Sequence, residues 1–143
     1  MTQTFSLTGF AAFVVTLAET EHVKEHALKK AARIVENEAK RVIGTYDYGW
    51  PPLAESTLKK KAADTPLLET GELQKSIGSQ VDHDRALIGS DDKVAVWQEL
   101  GTKTIPPRPF LMGALVHKTK EVLEVIGRHY EAHLTGAKTD AIE

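Results

Sequence analysis

The chain has 143 residues, a formal charge of −2 and no cysteine. That length fits one domain with a real core, and the missing thiols exclude a disulfide frame, thiol catalysis and a cysteine-type zinc site. A charge so near zero also lacks the strongly basic face of proteins that bind free nucleic acid.

Residues 5–7 read as a short strand, with Thr8 at an N-cap position ahead of the apolar run FAAFVVTLA, residues 10–18. The run is far shorter than the roughly 20 residues that span a bilayer, and no basic residue precedes it as a secretory signal would require. The expectation is a mature, soluble, cytosolically made protein. A long amphipathic helix follows: Leu28, Ala31, Ala32, Val35, Ala39, Val42 and Ile43 recur at helical spacing, Glu25 with Lys29 and Glu36 with Lys40 pair on the other side, and Gly44 ends it.

YDYGWPP, residues 46–52, joins aromatics to turn formers and predicts an ordered loop. LAESTLKKKAA predicts a short helix whose Lys59, Lys60 and Lys61 are a solvated face. ETGELQKSI predicts one or two helical turns capped by Thr70, and SQVDHDRALIGS a hairpin turning at residues 82–85. KVAVWQEL reads as a third strand or a tight helical turn. Beyond the prolines, Leu111, Leu115, Val122, Ile126 and Tyr130 form one helical stripe, widened by Met112, Val116 and Leu123 and ended by Gly136. Residues 136–143 read as a flexible tail. The expectation is a single α+β domain over residues 1–143, with long N- and C-terminal helices packed on one face of a small antiparallel sheet and an extended proline-rich arm.

Two segments carry the spacing of metal ligands. HVKEH places His22 and His26 one helical turn apart with Glu25 between them, the inverted-zincin pattern, and HYEAH repeats the spacing with His129 and His133. A small zinc-dependent hydrolase using His22, Glu25 and His26 is the alternative reading, with Glu99 the nominee for a third ligand. Short histidine matches are cheap in a chain with six histidines, and His83 and His117 suggest nothing separate. A third reading, DNA binding through Lys59, Lys60, Lys61 and the segment Lys29 to Arg33, has no second supporting feature. The sequence predicts no enzyme, no metal and no cofactor.

The strip WQELGTKTIPPRPFL, residues 97–111, is the most unusual stretch. Gly101 permits a sharp turn, Pro106, Pro107 and Pro109 lock the backbone, and Arg108 is held extended between prolines. This predicts a preordered docking arm with Arg108 as a bidentate donor and Trp97 and Phe110 as apolar anchors. Phe110 packed into the core, with Pro109 in the first turn of the last helix, is the competing reading.

WPPLAESTLKKK, PLLETGELQKSI, IGSDDKVAVWQELGT and IPPRPFL together resemble, in order and spacing, the phage virion morphogenesis or tail-completion family of Mu-like and P2-like phages and of siphophage necks. The resemblance covers residues 50–115. It implies a non-catalytic virion protein that forms a ring, six copies being the natural number, at the head-proximal end of the tail or in the neck. Its partners would be connector or head-closure proteins and tail-terminator or tail-tube proteins. Genomic DNA would pass through the ring without specific binding, and the protein would sit in the host cytoplasm until assembly. The implied interface comprises Trp50, Pro51, Trp97, Glu99, Gly101, Thr102, Pro106, Pro107, Arg108, Pro109 and Phe110.

Overall fold

The structure, a computed structural model, describes residues 21–136. The expected strand at residues 5–7, the Thr8 cap, the apolar run and the tail beyond residue 136 lie outside the described residues. In chain order the elements are α1 (Glu21–Val42), α2 (Glu55–Leu58), α3 (Glu72–Ser76), β1 (Ile77–Asp82), β2 (Arg85–Ser90), α4 (Lys93–Leu100) and α5 (Leu111–Thr135).

Helix α1 forms where the sequence predicts it. It buries Val23, Ala27, Ala31, Val35, Ala39 and Val42 on one side, and on the other its Glu25–Lys29 and Glu36–Lys40 pairs close at 2.6 and 2.7 Å. The chain leaves the helix at Gly44, whose φ of 89° suits glycine and whose amide donates to the Pro66 carbonyl at 2.8 Å.

β1 and β2 form an antiparallel hairpin in the register Ile77↔Ser90 through Asp82↔Arg85, so His83 and Asp84 make the turn. The third strand left open by the sequence does not form: KVAVWQEL is the helix α4, started by Asp92, whose carboxylate accepts from the Val94 amide at 2.9 Å. Among the described residues the sheet therefore has two strands.

The α+β class holds. Helix α1 contacts α5, both strands and α3. The core joins Val35, Ala39, Val42 and Ile43 of this end of the chain to Trp50, Leu73, Ile77, Ala95, Phe110 and Ala114. Helices α1 and α5 run antiparallel, since the His26 and His129 rings lie 5.3 Å apart at one end and Tyr48, just past α1, stacks on His117 with ring centroids 4.0 Å apart near the other.

The inward face of α5 overlaps the predicted stripe in part: of its members Leu111, Val122, Ile126 and Tyr130 are half-buried and Leu115 is exposed. Ala114, His129 and Ala132 are buried, with Leu111 and Val122 partly so, whereas Met112, Leu115, Val116 and Leu123 are exposed. Small residues face the alanines of α1 because they let the two backbones approach closely. At Gly113 an added Cβ would lie 2.8 Å from the Tyr48 ring, so the contact needs glycine there.

Candidate functional site

The strip between α4 and α5 is locked onto its own chain at four points. Helix α5 has no side-chain cap of its own at Phe110, and Glu99 supplies one from the end of α4. One carboxylate oxygen accepts from the amides of Phe110 and Leu111, the other from Met112, each at 2.9 Å. Three otherwise unpaired donors at the positive end of the helix dipole are thus satisfied by one acid.

Gly101 has φ of 75°, and a Cβ there would lie 2.9 Å from both the Ile105 carbonyl oxygen and the Pro107 nitrogen. Only glycine lets the strip fold back this tightly. The turn is closed by the Thr102 amide donating to Ile105 O at 2.8 Å, while Thr102 Oγ1 accepts from the amides of Thr104 and Ile105.

Arg108 is the third lock. Its amide donates to Gln98 O at 2.7 Å. Its Nη2 donates to Pro51 O at 2.9 Å and Pro52 O at 3.2 Å, with Nε adding a 3.3 Å bond to Pro51 O. Phe110, fully buried beside Trp50 in the core, is the fourth.

These contacts revise the docking-arm expectation. Arg108 finds its bidentate carbonyl partner within the chain, and Arg108, Phe110 and Trp50 are buried, so they act as fasteners and not as anchors for a partner. Phe110 follows the competing core reading. Glu99 and Gly101 are half-buried, and Glu99, fully used by three amides, is not a spare metal ligand. Pro51, Trp97, Thr102, Pro106, Pro107 and Pro109 remain exposed. Also exposed are Val96 and Leu100 of α4, Leu100 being 73% exposed, and the outward row Met112, Leu115, Val116 and Leu123 of α5.

The loop that receives Arg108 is itself braced by a charged network. Glu38 accepts from Arg41 at 2.9 and 2.7 Å and from the Tyr48 hydroxyl at 2.9 Å, and Arg41 also donates to Asp47 at 2.7 Å. The Arg41 guanidinium holds the Glu38 carboxyl at about 2, from its usual 4.5. Burial, with the Glu38 bond, pushes the Tyr48 hydroxyl up. Sequence reading missed both this network and the Glu99 cap; Glu38 and Arg41, three apart on a helix, were the available signal.

A cleft of about 640 Å³ lies between the strip and the residues before and after α2, lined among others by Pro52, Lys60, Thr70, Gln98, Ile105 and Arg108. His22, Glu25 and His26 do not line it. They stand exposed on α1, where Lys29 holds the Glu25 carboxyl below its usual range through its hydrogen bond. Among the described residues no three metal-ligating side chains already converge. His83 is exposed in the hairpin turn, and His117 bonds Gly113 O through Nδ1 at 2.8 Å. Of the lysine run, Lys61 donates to Thr65 O at 2.7 Å, a structural use.

Compared with family models, curated proteins and solved structures, the chain has no match in any of the three.

Proposed function

We propose that the chain is a structural, non-catalytic subunit that assembles into a ring, six copies being the natural number, at the head–tail junction of a tailed phage. The observation that carries the assembly reading is the row of large exposed apolar side chains on the outside of α5, Met112, Leu115, Val116 and Leu123, together with the exposed Val96, Trp97 and Leu100 of α4. Single exposed apolar residues are ordinary, but a row of this kind beside a rigid turn fits an interface. The phage setting rests on the resemblance of the four segments between residues 50 and 115. In a cyclic assembly one face of each subunit meets a different face of the next, so a locked strip keeps the angle between neighbours constant. Junction proteins of the connector and tail, with DNA threading the ring, are the partners this reading names.

Native mass spectrometry of the purified chain, alone and with candidate junction proteins, reads the copy number directly. The expected result is a ring in at least one condition, lost in a Val116→Glu, Leu123→Glu double variant whose melting temperature is unchanged. A wild-type chain that stays monomeric in every mixture would overturn the reading. The hydrolase alternative is less favoured because its three residues sit on an open helix surface away from the cleft.

A further inference from the structure

The two histidine pairs, 103 positions apart in sequence if measured from His26 to His129, meet in space. Because α1 and α5 are antiparallel, His22 lies one turn before His26 in the same direction that His133 lies one turn after His129. Two histidines from each helix therefore share one end of the helix pair.

His129 is the informative member. Its side chain is fully buried, and its Nδ1 lies 2.8 Å from the Val125 carbonyl oxygen. A carbonyl only accepts, so Nδ1 carries the proton and Nε2 of the neutral ring presents a lone pair. That Nε2 is buried and has no hydrogen-bond partner. A buried acceptor left unpaired is costly, and an imidazole with its other nitrogen bonded to a backbone carbonyl is the form that metal-ligating histidines adopt.

The second imidazole stands at a suitable distance. Two imidazoles on one tetrahedral zinc, each bound at roughly 2.0–2.1 Å, have ring centroids about 5.2 Å apart; those of His26 and His129 are 5.3 Å apart. His26 is exposed, and His22, also exposed, is one turn away on the same helix. Among the described residues no third ligating side chain already joins the pair; His22 would have to rotate about its side-chain bonds to complete a three-imidazole set, with water in the fourth position.

We infer that His22, His26 and His129 form a site for a borderline-soft divalent cation, zinc by ligand type and geometry, which clamps the start of α1 to the end of α5. The site asks nothing of Glu25 as a base and takes His129 from α5, which the HVKEH pattern does not contain, so it is not the hydrolase centre that HVKEH suggests. It also stands independently of the assembly reading.

The test is a zinc titration of the full chain, freed of metal and exchanged into chelator-free buffer, followed by calorimetry, thermal melting and nitrogen NMR of the histidine side chains. One zinc per chain should bind at micromolar concentration, raise the melting temperature and shift the His129 Nε2 resonance while Nδ1 stays protonated. His26→Gln, at an exposed position, should weaken binding on the order of tenfold or more, and His117→Gln should not change it. Absence of binding, or unchanged affinity in His26→Gln, would overturn the site. Binding that leaves His129 Nε2 unshifted would do so too, by assigning the metal to the exposed pair alone. The NMR readout uses the native chain, so the conclusion does not depend on a His129 variant folding.

Discussion

At Glu99 one carboxylate takes three amide protons at the start of α5, so its removal strands all three at once. Glu99→Ala should cost about 1–2 kcal/mol, the upper part of the range for a lost helix cap, and urea unfolding followed by circular dichroism would measure it. A loss below about 0.3 kcal/mol would mean that water replaces the carboxylate without penalty. Glu38 gives a different kind of prediction. Its folded pKa of about 2 lies below the ordinary 4.5, so its contribution is fully present above about pH 4.5 and is lost as pH falls toward 2. Discounted for the half-exposed Arg41, that contribution is on the order of 1–2 kcal/mol, and Glu38→Gln should flatten the acid limb of the stability curve in this window. The rigidity of the strip was legible in Gly101 and the prolines, and Phe110 in the core was one of two readings, but the inward direction of Arg108 was not legible. The carbonyls that hold Arg108 belong to Pro51 and Pro52, 57 and 56 positions away, and no local pattern connects them.

Among the elements, α1 and the hairpin follow directly from sequence because their periods are long or their turn is explicit. The hairpin's turn residues sit between two short runs, and the register closes on Asp82 and Arg85 as expected. KVAVWQEL is harder: eight residues alternating valine with alanine and tryptophan satisfy a strand as well as a helix, and Asp92 decides the matter by capping the helical form. In α5 the sequence offers two apolar arcs. Leucine and valine mark the larger one, and its Leu111 and Val122 turn partly inward, yet the buried positions belong to the smaller one, which carries Ala114 and Ala132. The close approach of these helices is itself testable. Ala114→Leu should overpack a fully buried position and cost about 1–3 kcal/mol, read as a lower denaturation midpoint; a neutral result would mean that α5 can rotate to bring its larger arc inward.

In the whole molecule α1 is the element on which the others converge, touching α5, both strands and α3. The strip and the Tyr48 loop fasten the end of the α1–α5 pair where α1 finishes, while the histidines occupy the end where α1 begins. Because the pair is antiparallel, Glu21 and Thr135 emerge at that same histidine end, and the exposed corner of Trp97, Leu100 and Met112 lies toward the opposite one. A force applied between the two described chain ends would therefore peel the helices apart from the histidines inward, one contact row after another, rather than slide one past the other. Unzipping of this kind yields at low load, and the core around Phe110 would be the last part to open.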